Sequence, residues 1–259
     1  MSWTTFLESA PPAEHAVQCY RELDELAATV GGFLDEGFRT GEPAVVIASA
    51  AHWPVLREEL ERRGNDVDEL ENQGLLTRCD AHETVTALLD GGLPSAERFE
   101  DVVAGTIDSV ALSFPDRTVR AFGEMVDVLA QRGERTAAIA LEELWNGLLQ
   151  TRRVALLCAY ELDVFDLDTQ TAALPEIVRT HTHHRPVADP GRLAAAVHDT
   201  LTDVLGPDAA ARIYLRVAEE VPRTALPRAQ AVLMWLSARE PTTARRVLQG
   251  ARLRYSAAA

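Results

Sequence analysis

Cysteine is scarce in this 259-residue chain, and lysine is absent. The three cysteines, Cys19, Cys79 and Cys158, cannot all pair, and none lies in the CxxC spacing of redox or metal motifs. Each falls in an apolar run, which favours a buried thiol over a disulfide or a reactive cysteine. Reduced thiols are typical of the cytoplasm, so we expect a cytoplasmic location.

Long hydrophobic runs are also missing. No segment approaches the ~20 apolar residues that a membrane helix needs. The opening MSWTTFLESAPPAEH has neither the basic region nor the apolar region of a signal peptide. We therefore expect no membrane partner.

Phosphate-binding and hydrolase motifs are absent as well. The first strand candidate, HAVQCY, is followed by RELDEL, which places Glu22, Asp24 and Glu25 where a phosphate loop would need bare backbone N–H groups. Neither GxxxxGK[ST] nor GxGxxG occurs at a strand-to-helix turn, and GxSxG and HExxH are missing. Ser49 ends its strand without a neighbouring base in the sequence. These absences predict a protein that is not an enzyme and that uses no cofactor, and we expect ATP neither to bind nor to be hydrolysed.

Charge is distributed unevenly along the chain. The net charge is −15, with 32 acidic and 13 basic side chains in residues 1–169 but 8 acidic and 12 basic ones in residues 170–259. The acidic total disfavours nucleic acid as the main partner. The step in charge predicts two parts with different surfaces.

Apolar runs of strand length alternate with amphipathic segments up to about residue 166. The predicted strands are His15–Tyr20, Ala44–Ser49, Leu75–Cys79, Thr118–Gly123 and Val154–Tyr160. Most are continuously apolar, as expected of strands covered on both faces. The predicted helices between them are Glu22–Glu36, His52–Arg63, Ala81–Leu89, Ala96–Leu112, Val126–Arg132 and Thr136–Leu149. Helices of this length between consecutive strands serve as crossover connections, which join parallel strands. The sequence therefore predicts an α/β fold, a three-layer αβα sandwich with a mainly parallel sheet.

The pattern of alternating strand and helix candidates ends after Phe165. Beyond a short helix candidate at Leu174–Arg179 and the polar stretch THTHHRPVADPG, only helix patterns punctuated by proline follow. They are Arg192–Leu205, Asp208–Val221, Leu226–Ser237 and Thr242–Tyr255. We therefore predict a flexible N-terminus over 1–13, an α/β domain over 14–168, a linker over 169–191 and a small all-α subdomain over 192–259.

The most concentrated polar signal is TVRAFGEM. Arg120 and Glu124 belong to a run that ends at the ligand-binding edge of the predicted sheet. An ionic group at such a place needs a partner. Arg120 could pair with Glu124, with Glu142 or with a ligand, so the pair is either a structural ion pair or a polar anchor in a pocket.

Three further residues are candidates for the same pocket. His15 opens the first strand and Tyr160 closes the last, and each could line a pocket or be structural. Glu142, in LEELWN, falls on the same side of its helix as Trp145, which is predicted to lie in the core.

The histidines of THTHHRP are the best metal candidates in the sequence. His181, His183 and His184 could bind Zn²⁺, but no carboxylate or cysteine stands beside them, which makes the site weak. A solvated, pH-sensitive linker is the favoured interpretation, and no functional metal is expected.

Residues 14–166, taken in order, resemble the MEDS family, the sensory domain of DcmR-type regulators of methylotrophs and methanogens. The resemblance lies in His15, Cys19-Tyr20, FLDEGFRTGEPAVVIAS, Arg120 with FGEM, LEELWN, ALLCAY and Phe165, and then IVRTHTHH. It implies a RecA/KaiC-like core without an ATP-binding loop, which senses small molecules such as hydrocarbon derivatives. Family members are joined to DNA-binding or histidine-kinase domains, whereas this chain continues into helices without such a pattern.

These observations predict a non-enzymatic small-molecule sensory or signal-relay protein. An unknown small molecule would bind near Arg120, Glu124, His15, Tyr160 and Glu142. The helical part would pass the signal to a regulatory protein partner or to a second copy of the chain. The alternative is a transcriptional regulator whose basic helices contact DNA through Arg212, Arg216, Arg245, Arg246, Arg252 and Arg254.

Overall fold

A computed structural model describes residues 3–221 and 226–257. The chain forms two compact units, Met1–Glu161 and Leu162–Ala259. The division therefore falls a few residues before the end of the predicted α/β domain at residue 168. No described helix is long and apolar enough to span a membrane.

The first unit is built on a parallel sheet. Its strands in chain order are β1 (His15–Tyr20), β2 (Ala44–Ala48), β3 (Leu76–Asp80), β4 (Leu89–Asp90), β5 (Leu93–Pro94), β6 (Val119–Gly123) and β7 (Val154–Glu161). Five of them pair in parallel in the order β3-β2-β6-β7-β1. Every residue of β1, β2 and β6 is buried, which confirms the interpretation of continuous apolar runs.

Helices cover both faces of this sheet and confirm the αβα sandwich. They are α1 (Trp3–Ser9), α2 (Leu23–Thr40), α3 (Trp53–Arg62), α4 (Val67–Asn72), α5 (Ala81–Leu88), α6 (Ala96–Phe99), α7 (Gly105–Ser113), α8 (Met125–Gln131) and α9 (Arg135–Leu149). A π-helical segment, Glu100–Ala104, joins α6 to α7.

Alternate strand residues point to opposite faces of the sheet. On the first face, Phe122 and Leu157 pack in one core with side chains of α1 to α4. On the second face, Cys158 and Tyr160 of β7 contact residues of β1 and α9. The two faces therefore carry different chemistry.

Three features differ from the sequence prediction. The N-terminal segment holds α1 rather than a purely flexible stretch, because Phe6 is fully buried and stacks on Phe33 with ring centroids 5.4 Å apart. Residues 1 and 2 lie outside the described part. A short β4–β5 hairpin, which was not predicted, follows α5, and Gly91 and Gly92 form its turn with φ of 57° and 86°. Helix α4 was not predicted; Asp66 caps it by accepting from the backbone N–H of Glu69.

The second unit is mainly helical, as predicted. It contains a π-helical segment (Thr169–Ala173), α10 (Leu174–Thr180), a short strand β8 (His183–Arg185), α11 (Pro190–Leu205), α12 (Pro207–Glu220), α13 (Arg228–Arg239) and α14 (Pro241–Ala257). Helix α11 packs against α12, α13 and α14, which makes a small bundle. Proline opens α11, α12 and α14, where its missing N–H is not needed. The segment predicted as a linker over 169–191 contains regular structure.

Candidate functional site

The carboxyl ends of β2 and β6 bring a buried glutamate next to a histidine. Glu124 directly follows β6, and its Oε2 accepts from the backbone N–H of Ser49, 2.9 Å away at the end of β2. Its Oε1 lies 2.9 Å from Nδ1 of His52, just before α3. Glu124 is buried, whereas about a quarter of the His52 side chain is exposed, at 25%. The hydrogen bond to Glu124 raises the pKa of His52.

A second pair adjoins the first. Tyr20, the last residue of β1, donates from its hydroxyl to Oδ2 of Asp127 at 3.3 Å, and its ring stands edge-on to that of His52. Oδ1 of Asp127 accepts from the backbone N–H of Glu161 and from Nε2 of Gln131. Burial raises the pKa of Asp127 to about 6, and burial beside Asp127 raises the pKa of Tyr20. We call Tyr20, Ser49, His52, Glu124 and Asp127 the carboxyl-edge cluster.

The raised pKa of Asp127 predicts a pH dependence of stability. Because the native state holds this proton more tightly than the unfolded chain, the free energy of unfolding should fall as the pH rises from about 4 to about 6. Asp127→Asn should lack this fall, so its stability relative to the wild type should change by about 1–2 kcal/mol across the window. Urea unfolding at a series of pH values measures this difference, with the exposed Asp24→Asn as the control for losing one charge. A difference independent of pH would show that Asp127 is ionised throughout.

An open cavity lies at the same edge of the sheet. It has a volume of about 560 Å³ and adjoins the end of β3. Its lining residues are Arg78, Cys79, Asp80, Glu83, Thr84, Ala87 and Val102. The guanidinium of Arg78 stands 5.4 Å from the ring centroid of Trp53, which is the residue after His52.

A second polar group lies within the second face of the sheet. Nε2 of His15 is 3.3 Å from Sγ of Cys158 and 3.4 Å from Oε2 of Glu142. Nδ1 of His15 lies 2.9 Å from Oδ1 of Asn146, and the hydroxyl of Tyr160 donates to Oε1 of Glu142 at 2.7 Å. We call these five residues the core polar cluster. It unites three of the five predicted ligand-binding residues.

Burial governs the protonation of the core polar cluster. It raises the pKa of Glu142 to about 8, although the hydrogen bond from Tyr160 opposes the rise. It also raises the pKa values of Cys158 and Tyr160 well above their usual range, and the charge of Glu142 adds to both. A cluster of neutral, mutually bonded groups suits such a dry position.

The comparison with protein families agrees with these features. A family model described as MEDS, the MEthanogen/methylotroph, DcmR Sensory domain, matches residues 14–182. The chain belongs to the MEDS family. No curated protein matches it.

In this MEDS chain, the turn between β1 and α2 places its acidic residues at the N-terminus of the helix. Glu22 is the N-cap residue of α2, and its side chain makes no capping hydrogen bond. Asp24 and Glu25 stand in the first turn, where the helix dipole favours negative groups. The carboxylates thus occupy the helix end that a phosphate would otherwise use.

Arg120 lies on the first face and away from both clusters. Its Nε donates to Oε2 of Glu42 at 2.7 Å. Its Nη1 donates to the carbonyls of Leu7 and Phe33, each at 2.7 Å, and its Nη2 to that of Glu8 at 3.0 Å. The guanidinium also stands over the Phe33 ring, 5.2 Å from its centroid. These contacts tie α1 and α2 to the sheet.

The predicted partnership of Arg120 is therefore corrected. Its acidic partner is Glu42, whereas Glu124 pairs with His52 and Glu142 with Tyr160. Arg120 lies in register with Ala44, at the start of β2, while Glu124 follows the far end of β6. Opposite ends of one strand cannot form the expected ion pair.

The three histidines of the second unit are buried, not solvated as predicted. His181 Nδ1 lies 2.8 Å from the carbonyl of Ile177, and His184 Nε2 lies 3.3 Å from that of Val178. Burial lowers the pKa of His184 to about 4. The rings of His181 and His184 stand edge to face with centroids 6.4 Å apart. His181 and His184 contact backbone carbonyls near the C-terminus of α10. The segment is therefore not the solvated, pH-sensitive linker that was predicted.

The sequence analysis did not predict six residues of the two clusters as ligand-binding residues: Tyr20, Ser49, His52, Asp127, Cys158 and Asn146. Two signals were available for the core polar cluster. Glu142 and Asn146 are four residues apart on one helix, so they share a face, and Cys158 and Tyr160 are two apart on one strand. The carboxyl-edge cluster gave a weaker signal, because its members come from three separate parts of the chain: Tyr20 ends β1, Ser49 and His52 follow β2, and Glu124 and Asp127 follow β6.

Proposed function

We propose that this MEDS protein is a non-enzymatic sensor that binds a small molecule at the carboxyl edge of its sheet. The His52–Glu124 pair carries the proposal. Open parallel sheets bind ligands at this edge. Glu124 fixes one side of the imidazole and leaves the ring partly exposed. A cavity large enough for a small molecule lies at the same edge of the sheet, and its lining residue Arg78 stands over Trp53, the residue after His52.

Sensing fits the cluster better than catalysis does. The Ser49 hydroxyl accepts from the backbone N–H of His52 at 3.3 Å. This bond engages the main chain and does not activate the serine as a nucleophile. Nδ1 of the His52 ring is held by Glu124, and within residues 3–221 and 226–257 no hydrogen bond joins this ring to the Ser49 hydroxyl. The acidic first turn likewise opposes a nucleotide substrate.

Native mass spectrometry of freshly purified, untagged protein tests the binding site. We expect a co-purified small molecule on the wild type and a large loss of its occupancy in His52→Asn and in Glu124→Gln. Arg57→Gln is the matched control, because Arg57 is on the adjacent α3 and pairs with exposed carboxylates. Equal occupancy in all four proteins would place the ligand elsewhere, and a turnover product of the bound molecule would favour an enzyme.

For the output, we propose contact with a regulatory protein or a second copy of the chain through the helical unit. Several of its arginines form ion pairs within this unit, which leaves them less available to the phosphates of DNA. Arg239 pairs with Glu220, Arg252 with Asp163 and Arg254 with Asp203. The three reduced cysteines fit a cytoplasmic setting.

Contact with DNA is the second candidate. Five of the six predicted arginines are exposed: Arg212 and Arg216 on α12, and Arg245, Arg246 and Arg252 on α14. Arg252 pairs with Asp163. Fluorescence anisotropy with mixed-sequence duplex DNA separates the two outputs. Salt-dependent binding that Arg245→Gln with Arg246→Gln weakens would favour DNA, whereas no binding at low salt supports a protein partner.

A further inference from the structure

Three side chains of the core polar cluster converge on one point. The Nε2 atom of His15, the Oε2 atom of Glu142 and the Sγ atom of Cys158 all lie within 4.8 Å of one another. His15 and Cys158 come from neighbouring strands, and Glu142 comes from the helix that covers them. All three side chains are buried. The sheet and α9 thus hold them in place from separate elements.

The spacing of these atoms matches that of ligands around zinc. Zinc bonds of 2.0–2.3 Å in tetrahedral geometry separate neighbouring ligand atoms by about 3.3–3.6 Å. In the protein, Nε2 of His15 is 3.3 Å from Sγ of Cys158 and 3.4 Å from Oε2 of Glu142. Small side-chain adjustments would therefore suffice to admit an ion.

The donor set also selects the metal. One imidazole nitrogen, one thiolate and one carboxylate form a borderline-soft set that suits zinc, whereas calcium and magnesium prefer oxygen ligands alone. We propose that His15, Glu142 and Cys158 bind a zinc ion, supplying three of the four positions that zinc usually fills. This site is distinct from the carboxyl-edge cluster and does not depend on its ligand.

The neighbours of the three ligands act as outer-shell supports. Asn146 Oδ1, 2.9 Å from Nδ1 of His15, accepts the proton of that nitrogen and leaves the Nε2 lone pair directed at the cluster. Tyr160 donates to the other oxygen of Glu142 at 2.7 Å and fixes the carboxylate plane. Such partners orient ligands in zinc sites and raise their affinity for the metal.

Titration with Co²⁺ tests the proposal, because cobalt reports on sulfur ligation by its charge-transfer absorption. The untagged, reduced full-length protein is first treated with a chelator. We expect one equivalent of Co²⁺ to bind with a sulfur-to-cobalt band that one equivalent of Zn²⁺ abolishes. Cys158→Ser should lose the band. Cys79→Ser should keep it, because Cys79 lies outside the cluster at the end of β3.

A positioning variant keeps the test independent of folding. Asn146→Ala retains all three ligands, so it should keep the band but bind Co²⁺ about 10–100-fold more weakly. The conservative His15→Asn should lose binding while circular dichroism and thermal melting report whether it folds. If either ligand variant unfolds, the stoichiometry of the wild type and the affinity of Asn146→Ala decide. A wild type without the band, or a Cys158→Ser variant that retains it, would overturn the zinc site and leave a neutral hydrogen-bonded cluster.

Discussion

Replacing Arg120 with methionine is expected to lower the free energy of unfolding by about 3–5 kcal/mol, the cost of breaking a buried ion pair by removing one partner. Arg120 is 1% exposed. Its loss leaves the Glu42 carboxylate without its bond and removes the donor from three carbonyls of α1 and α2. A buried carbonyl that loses its donor is costly in itself. The effect should therefore exceed that of an ordinary surface ion pair several-fold.

Urea unfolding, with equal m-values required of the variants, measures this loss. Arg39→Met is the matched control, since Arg39 is mostly exposed and pairs with Glu36 on the same helix. We expect less than about 1 kcal/mol for it. Loss of stability no greater than the control would contradict the structural role of Arg120.

A double-mutant cycle identifies the partner of Arg120. Combining Arg120→Met with Glu42→Gln should restore part of the loss, because no lone carboxylate remains. Combining Arg120→Met with Glu124→Gln should give additive effects, since the two residues stand at opposite ends of β6 and share no partner. Coupling to Glu124 in place of Glu42 would restore the ion pair expected from sequence.

The sandwich could be predicted because its signals are local. Continuously apolar runs such as Val154–Tyr160 are long enough for a strand but too short for most helices, and amphipathic segments separate them. Crossovers of this length then require parallel pairing. The proline-punctuated helices of the second unit are equally local features.

The site residues were only partly predictable, because the contacts between them depend on the order of the strands in the sheet. β1 and β7 are neighbours in the sheet although His15 and Cys158 are separated by 143 positions in sequence. Likewise, β2 and β6 are adjacent, which brings Ser49 and His52 to Glu124. Periodicity tells which residues share a face of one element, but not which elements become neighbours.

Two segments differ from the interpretation of the sequence. THTHHRP has the composition of a solvated loop, yet its histidines are buried and bond to backbone carbonyls of α10. The opening residues were predicted to be flexible, but Phe6 and Ala10 lie in the core, and Trp3 and Leu7 pack against it. Arg120 also donates to the carbonyls of Leu7 and Glu8. Trp3, Phe6 and Leu7 stand at helical spacing, so α1 had a local signal, whereas its distant donor Arg120 had none.

The close approach of α2 to the sheet provides the second prediction with a large expected effect. A methyl group added at Gly37 would lie 2.5 Å from Cδ and 2.7 Å from Nε of Arg120. Four hydrogen bonds fix this arginine, so its side chain cannot swing away without losing them. Gly37→Ala is therefore expected to lower the free energy of unfolding by up to about 3 kcal/mol, as overpacking of a core does.

The same helix contains its own control. At Gly32, an added methyl group would meet only Arg63 atoms at 3.7 Å or more, which is ordinary contact. Gly32→Ala should stabilise the protein by about 0.5–1 kcal/mol, because alanine loses less backbone entropy than glycine in a helix. Both variants gain the same helix propensity, so the difference between them isolates the clash with Arg120. In the background of Arg120→Met, whose flexible side chain can move aside, the penalty of Gly37→Ala should largely disappear. If Gly37→Ala stabilises the wild type as much as Gly32→Ala does, the packing of α2 against Arg120 is looser than these distances require.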